Sequence, residues 1–395
     1  MESWKKTLYI TWIIIFIHGV GLQMFAPFLP LYLKQLGVTD PKAQSTWSGV
    51  LYGITFLFSA LLAPYWGAIS DKYGRKALIL RTTFGISVVA LLMSFVTNVY
   101  QLLILRILHG ICGAMTPALT ALVSQGLPED KTGQGLGTMQ VAIIAGNILG
   151  PFIGGLLFDW IGYRDVLAIV FMLTLLAGML TLFFIHEPQR DQEKPRSTVI
   201  SNIKLVVFTP NLRMAAIALF VTQFALFVVQ PILPLFIAAL HGEGNSATMI
   251  GLIFSVTGFS ALLFTPYWGR TSDKKGYQKT LSVSLLFSGL TFFPHAFVTS
   301  VYQLLPLRAV VGFFMAGIIP ATQALIVKNT SDVQRGGVLG ITYSVTLCGM
   351  ALGPLLGGVV GAFFGYRFAM ALTSILLIII WYSFRNFNRA VASPG

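Results

Sequence analysis

Long apolar stretches dominate the chain, and short polar segments separate them. Twelve apolar runs are each roughly 20 residues long, which is the length that spans a bilayer. Their approximate limits are 8–33, 47–69, 77–97, 99–123, 135–158, 163–185, 213–239, 248–269, 279–298, 301–326, 336–361 and 366–384. Because backbone groups in hydrocarbon must bond to one another, we predict that each run is a membrane-spanning helix. The first run is too long for a signal peptide, so we number it span 1.

The second half of the chain repeats the first. PYWG occurs at 64–67 and 266–269, YQLLILR at 100–106 matches YQLLPLR at 302–308, and GPFIGGLLFDWIGYR at 150–164 matches GPLLGGVVGAFFGYR at 353–367. We therefore predict an N-terminal six-helix bundle over 1–185, a cytoplasmic linker over 186–212 and a C-terminal six-helix bundle over 213–395. Two such halves around a central site are the plan of a transporter. A duplication that built only a larger membrane scaffold is the alternative.

Composition and charge agree with a membrane protein. Hydrophobic residues make up 55% of the chain and charged residues only 10%, whereas soluble domains carry about 25% charged residues. If the N-terminus is cytoplasmic, most of the 26 lysines and arginines fall on the cytoplasmic side. Four fall on the other side: Lys34, Lys42, Arg164 and Arg367. This asymmetry predicts that both termini are cytoplasmic. It also explains the net charge of +13 without a nucleic-acid partner.

Three motifs carry a resemblance to a known family. GAISDKYGRK at 67–76 lies between spans 2 and 3, LLILRILHGICGA at 102–114 lies in span 4, and GNILGPFIGG at 146–155 lies in span 5. With these motifs the whole chain resembles the major facilitator superfamily, in particular the MdtG-like multidrug efflux branch of the twelve-helix drug/proton antiporters. The resemblance implies an all-α integral membrane fold of twelve helices in two pseudo-symmetric six-helix bundles. It also implies secondary active export by alternating access.

The loop between spans 2 and 3 is the first candidate site. The resemblance gives this loop a conformational role, which we assign to a latch formed by Gly67, Asp71, Gly74 and Arg75. The matching segment GRTSDKKGYQK at 269–279 keeps Asp273 but has Tyr277 in place of the arginine, so we expect a weaker latch there. A purely topological signal made of basic residues is the alternative.

Glycine and proline recur at matching places in spans 5 and 11. Glycines four residues apart form a smooth ridge that lets another helix approach closely, and an internal proline bends the helix. We predict a hinge at these positions, with simple tight packing as the alternative. The residues are Gly146, Gly150, Pro151 and Gly154, and Gly349, Gly353, Pro354 and Gly357.

Few ionisable side chains lie within the spans. All thirteen acidic residues fall in loops or at helix ends, so span 1 lacks the buried carboxylate of many drug/proton antiporters. The intramembrane candidates are His18, Arg106, His109, His295 and Arg308. Histidine titrates near neutral pH, so we take His18 and His109, with Arg106 on the same helix face as His109, as candidates for proton coupling. A neutral histidine that bonds two helices is the alternative.

Arg106 and Arg308 occupy matching positions and have no carboxylate in the membrane beside them. We expect an exporter of small amphipathic molecules of the multidrug type, coupled to protons. Because two arginines favour anions, an exporter of an anionic metabolite, such as a carboxylate siderophore, is the alternative, and a lipid flippase is a further one. Further candidates for the substrate cavity are polar or aromatic residues of the spans: Gln23, Phe25, Gln140, Asn147, Gln223, Phe224, Phe227, Gln323 and Tyr343.

Other classes of protein lack their motifs in this sequence. There is no phosphate-binding loop for ATP, no paired catalytic carboxylates and no cluster of metal ligands, so we expect neither an enzyme nor a cofactor nor a metal. The expected partners are a small-molecule substrate, protons and the lipid bilayer. We expect a monomer in the cytoplasmic membrane of a bacterium.

Overall fold

The structure is a computed structural model, and it describes residues 3–113, 115–127, 131–185, 198–242 and 246–392. Helices account for nearly all of this part of the chain. In chain order they are α1 Ser3–Phe25, α2 Leu29–Gln35, α3 Pro41–Tyr73, α4 Arg75–Ser94, α5 Val99–Ile111, α6 Met115–Gly126, α7 Thr132–Ile161, α8 Tyr163–Phe184, α9 Val199–Phe208, α10 Pro210–Val229, α11 Leu233–His241, α12 Ser246–Lys275, α13 Tyr277–Phe292, α14 Val301–Met315, α15 Ile318–Lys328, α16 Asp332–Phe364 and α17 Tyr366–Ala392.

The predicted membrane spans are present as helices. Within the described residues, eleven helical segments are long and apolar enough to cross a membrane. The remaining span, number 4, is divided into the two shorter helices α5 and α6. The prediction of an all-α membrane fold with twelve spans is confirmed.

Four of the spans are interrupted, which the apolar pattern did not indicate. Span 1 changes to a 3₁₀ turn at Ala26–Phe28, and span 7 turns at 230–232. Prolines lie at both places, and proline removes a backbone donor from a helix. Spans 4 and 10 are interrupted at 112–113 and 316–317, where Gly113 and Gly317 lie. The interruptions therefore follow the repeat, because spans 1 and 7, and spans 4 and 10, are matching pairs.

Part of the segment predicted to be a polar linker is helical. The helix α9 begins after Thr198, whose hydroxyl accepts a hydrogen bond from the Ser201 amide at 3.3 Å. Asn202 and Val206 are buried on one of its faces. Residues 186–197 of the predicted linker lie outside the described residues. The next helix, α10, begins before the predicted start of span 7 at 213.

The chain forms two compact units. Unit 1 contains 1–40, 54–191 and 242–255, and unit 2 contains 41–53, 192–241 and 256–395. Inside unit 1, α1 packs along α7 and α8, and α4 packs along α8. Inside unit 2, α10 packs along α16 and α17, and α13 packs along α17. Each unit thus includes the first part of one helix from the other repeat: α12 contributes to unit 1 and α3 to unit 2.

Candidate functional site

The glycine ridge of α7 packs against α1. A Cβ added at Gly146 would lie 3.1 Å from Gly19, and one added at Gly150 would lie 2.6 Å from the Cβ of Gln23. One added at Gly154 would collide with the backbone of Met24. The helix continues through Pro151 without interruption. Close approach of two helix backbones therefore depends on these glycines, while their role as a hinge stays a prediction.

The matching ridge of α16 packs in the same way against α10. A Cβ at Gly349 would lie 3.0 Å from the Phe224 amide, and one at Gly353 would lie 2.9 Å from the Cβ of Phe227. One at Gly357 would collide with the backbone of Val228. Pro354 is inside this helix. In both repeats, therefore, a ridge of glycines lets the long helix pack closely against the first span of the same repeat, α7 against α1 and α16 against α10.

A cluster of polar and aromatic groups lies where the interruptions of spans 1 and 4 meet. Phe25 ends α1, and its ring centroid lies 5.7 Å from that of His109 near the end of α5. The guanidinium carbon of Arg106 lies 5.6 Å from the centre of the same Phe25 ring. Interrupted helices commonly form the binding sites of secondary transporters. The structure therefore places Phe25, a separate cavity candidate, beside Arg106 and His109, which the sequence already put on one helix face.

Arg106 and His109 are joined by a hydrogen bond. Arg106 is only 3% exposed, and its Nη1 lies 3.2 Å from Nδ1 of His109. A guanidinium can only donate, so Nδ1 of His109 is the acceptor and carries no proton in this state. A proton on Nδ1 would remove this bond and place two cations side by side. The pair can therefore exist in two states that differ by one proton.

Hydroxyl groups of α3 hold the part of α5 that carries this pair. Thr55 donates to the carbonyl oxygen of Arg106 at 3.1 Å, and Ser59 donates to that of Gly110 at 3.0 Å. His18 of α1 is 4% exposed, and its Nδ1 has no hydrogen-bond partner among the described residues.

Arg308 in unit 2 has different surroundings. It is 7% exposed, its guanidinium carbon lies 5.3 Å from the Phe292 ring, and the His295 ring stacks on the same ring at 5.1 Å. His295 Nδ1 donates to the Thr291 carbonyl at 3.1 Å, which leaves Nε2 as the acceptor nitrogen. Within the described part of the chain, Nε and Nη2 of Arg308 and Nε2 of His295 have no hydrogen-bond partner. The sequence nominated His295, but its spacing did not place it beside Arg308.

The remaining cavity candidates differ in exposure. In unit 1 Gln23 is half-buried, while Gln140 and Asn147 are exposed. In unit 2 the exposed candidates are Gln323 and Tyr343. Gln223, Phe224 and Phe227 are half-buried there, and Phe224 stacks on Phe220 at 5.9 Å. Contact of these residues with a substrate stays a prediction.

The two candidate latch segments have a similar backbone conformation at their glycines but differ in their side chains. Gly74 has φ of 97° and Gly276 has φ of 90°, a conformation that only glycine adopts easily. Gly67 is in the last turns of α3, with open space around its Cα, and Arg75 begins α4. The Asp71 side chain lies outside the described residues. In the second loop Asp273 is exposed and accepts a hydrogen bond from the Tyr277 hydroxyl at 3.2 Å.

Asp159 is a further polar residue that the sequence placed only at a helix end. Its carboxylate accepts hydrogen bonds from the Thr248 amide at 2.7 Å, the Thr248 hydroxyl at 2.7 Å and the Ala247 amide at 3.3 Å. A carboxylate at a helix N-terminus satisfies free amides and opposes the positive end of the helix dipole. Unit 2 has a neutral contact instead, where Ser45 donates to the Gly358 carbonyl at 2.9 Å.

The comparisons with known proteins agree with this architecture. The model of the Major Facilitator Superfamily matches residues 11–243 and 215–393, so the chain belongs to this family. Its fold and family are those of a multi-pass membrane transporter and not of an enzyme.

Two curated relatives make the similarity more specific. The chain is 37% identical over 393 residues to the multidrug resistance protein MdtG of Salmonella dublin, which covers 98% of this chain and 96% of that protein. It is also 37% identical over 396 residues to MdtG of Proteus mirabilis, with 98% of each chain covered. The resemblance to the MdtG-like multidrug efflux branch is thus confirmed.

Solved structures share the fold at low sequence identity. A bacterial homologue of the human lysosomal transporter Spinster, inward-facing and unoccupied, has a TM-score of 0.79 at 16% identity, with all of both chains covered. The human organic anion transporter MFSD10 has a TM-score of 0.73 at 17% identity, with 97% of this chain and 100% of that chain covered.

Proposed function

We propose that the protein exports small amphipathic molecules of the multidrug type and exchanges them for protons. The similarity to MdtG over nearly the whole chain supports the substrate class. The hydrogen bond between Arg106 and His109 is the observation that carries the coupling. It offers a buried group that gains or loses a proton where two interrupted spans meet.

The coupling follows from the geometry of the pair. When His109 is neutral, it accepts the Arg106 hydrogen bond and both side chains stay in place. When His109 is protonated, the bond is lost and Arg106 is repelled. A protonated imidazole and a cationic or amphipathic substrate therefore compete for the same region beside Phe25. His18, which is buried in α1 with an Nδ1 that has no partner among the described residues, is the second proton acceptor of this scheme.

Conformational change completes the proposal. Gly67, Asp71, Gly74 and Arg75 form a latch in one state, and the ridges of α7 and α16 serve as hinges during alternating access. The protein acts as a monomer in the cytoplasmic membrane of a bacterium, with both termini cytoplasmic. A dedicated exporter of anions is the second candidate, because buried nitrogens of Arg308 have no described partner. The names of the curated relatives favour multidrug export instead.

Transport in proteoliposomes under an imposed pH gradient tests the proposal. Lipophilic cations and polycarboxylates are compared as substrates for the wild type, His109→Gln and His241→Gln. Glutamine keeps an acceptor for Arg106 but cannot take up a proton. His241 is the matched control, because it ends α11 in unit 2, whereas the cluster belongs to unit 1. We expect the wild type and His241→Gln to accumulate cations against their gradient, and His109→Gln to allow only downhill flow. Gradient-driven accumulation by His109→Gln would contradict the coupling.

A further inference from the structure

The interruption of span 4 is held by an arginine from the neighbouring helix α4. Arg81 donates from Nη1 to the Ile111 carbonyl at 3.2 Å. Its Nη2 donates to the carbonyls of Cys112 at 3.2 Å and Gly113 at 3.0 Å. The last carbonyls of a helix have no partner within the helix, and a cation there also complements the helix dipole. One guanidinium thus satisfies three successive carbonyls at the end of α5.

The same guanidinium is stacked on a tryptophan of the repeated PYWG segment. Its carbon lies 3.4 Å from the centroid of the Trp66 ring, a distance at which a planar guanidinium stacks on an aromatic face. Trp66 directly precedes Gly67, the first residue of GAISDKYGRK at 67–76, which we call the signature loop and of which 67–73 form the last turns of α3. Arg81 therefore connects the end of α3, the helix α4 and the end of α5 through one side chain.

The matching place in unit 2 satisfies the equivalent carbonyl with another donor. The spacing that pairs the two PYWG segments also pairs Trp66 with Trp268, Arg81 with Val283 and Ile111 with Phe313. Trp268 donates from Nε1 to the Phe313 carbonyl at 2.6 Å. Within the described residues Nε1 of Trp66 has no hydrogen-bond partner, and Arg81 donates to the equivalent carbonyl. The two repeats therefore share the carbonyl acceptor but differ in its donor, which is the Arg81 guanidinium in unit 1 and the Trp268 indole in unit 2.

We propose that Arg81 is a positioning residue, which fixes the end of α5 and thereby the Arg106–His109 pair to the signature loop. His109 lies on the last turn of α5, directly before the carbonyls that Arg81 binds. A shift of the loop moves Trp66, and through Arg81 it moves the turn that holds the coupling pair. The contact to the coupling site rests on the proposed role of His109, whereas the fixing of α5 by Arg81 does not.

The repeat itself supplies the variant that separates positioning from folding. In Arg81→Val, the residue of unit 2 replaces that of unit 1, and the Trp66 indole can donate to the Ile111 carbonyl as Trp268 does to Phe313. We therefore expect Arg81→Val to remain folded. Arg81→Val/Trp66→Phe lacks both donors and serves as the destabilised reference. Arg164→Val is the matched control, because it removes an arginine that donates to a single carbonyl, that of Val96 at 3.1 Å.

Three measurements on the purified, reconstituted full chain test the inference: thermal unfolding, tetraphenylphosphonium binding, and counterflow exchange of tetraphenylphosphonium without a pH gradient. For Arg81→Val we expect a smaller fall in unfolding temperature than for the double variant, wild-type affinity and about tenfold slower exchange, because small misplacements of a reacting group reduce rates strongly. Arg81→Lys should recover part of the rate, since an ammonium reaches a carbonyl but stacks less well. Arg164→Val should exchange at the wild-type rate.

Two results would overturn the inference. One is wild-type exchange by Arg81→Val, and the other is a loss of rate that only follows a loss of thermal stability across all variants. The outcome is independent of the proposed proton coupling. If a pH gradient does not drive accumulation by the wild type, but Arg81→Val still slows exchange, only the proton coupling is contradicted. If the pH gradient drives accumulation by the wild type, but Arg81→Val exchanges at the wild-type rate, only the positioning role is contradicted.

Discussion

The interruptions of spans 4 and 10 are the most informative pair of regions in this molecule. They fall in matching spans but two residues apart in the repeat, since 112–113 pairs with 314–315 and span 10 is interrupted at 316–317. Arg81 donates to the Ile111 carbonyl before the first interruption, whereas Trp268 donates to the matching carbonyl of Phe313 before the second. The buried arginines near them differ as well. Arg106 donates to an imidazole of its own helix, while His295, beside Arg308, comes from the preceding span. A duplicated fold has kept its helices and changed its charged groups, so we expect the two units to contribute unequally to transport.

The largest difference is expected between Arg106→Gln and Arg308→Gln. Arg106→Gln replaces the cationic donor to His109 by a shorter, neutral amide. Hydrogen bonds to charged groups contribute about 1.5–3 kcal/mol, so transport of a lipophilic cation should fall about 10- to 100-fold. Arg308→Gln should change cation transport less and weaken binding of a carboxylate-bearing ligand. Initial rates and binding for both variants check this. If the two variants lose cation transport equally, the proposed difference between the two units is contradicted.

The latch loops should show the next largest difference. Asp71→Asn should lower transport strongly while folded protein stays in the membrane, because the charge lies within the complete signature motif. Asp273→Asn should lower it less, since Asp273 is exposed and is bonded to Tyr277. Transport rates at matched amounts of membrane-inserted protein measure both. Equal rates in the two variants would contradict the asymmetry of the latch.

A smaller difference concerns the contacts at the first turns of α12 and α3. Asp159→Ala removes a charged acceptor from two amides and one hydroxyl, so we expect a loss of about 1.5–3 kcal/mol in the free energy of unfolding. Ser45→Ala removes one neutral hydrogen bond and should cost about 0.5–1.5 kcal/mol. Denaturation in detergent compares the two. A larger loss of stability in Ser45→Ala than in Asp159→Ala would contradict a stabilising role of the Asp159 charge.

The smallest difference is predicted for the two tryptophans. Trp268→Phe loses the hydrogen bond to Phe313 and should destabilise the protein by about 1 kcal/mol. Trp66→Phe loses no described hydrogen bond and keeps an aromatic face for Arg81, so its stability should be close to that of the wild type. Thermal unfolding of both variants gives the comparison. A larger loss for Trp66→Phe would mean that its indole nitrogen has a partner of its own.

The sequence predicted the fold because its strongest signals, apolar length and repetition, are also what lipid requires of a chain. The interruptions were missed because hydropathy averages over a window and is insensitive to one turn. Gly113 and the prolines near residues 27 and 231 were the available signals. Arg81 entered the sequence analysis only as one of the lysines and arginines counted on the cytoplasmic side, and a count of charges does not show where a side chain points. The pairing of Arg308 with His295 depends on packing between different spans.

Proton release on substrate binding tests the central claim most directly. Purified wild-type protein in weakly buffered detergent solution is mixed with tetraphenylphosphonium, and the pH change is recorded, with His241→Gln and His109→Gln as companions. If binding displaces a proton from His109, the wild type and His241→Gln acidify the solution, and His109→Gln binds the same ligand without acidification. Acidification by His109→Gln equal to that of the wild type would contradict the account.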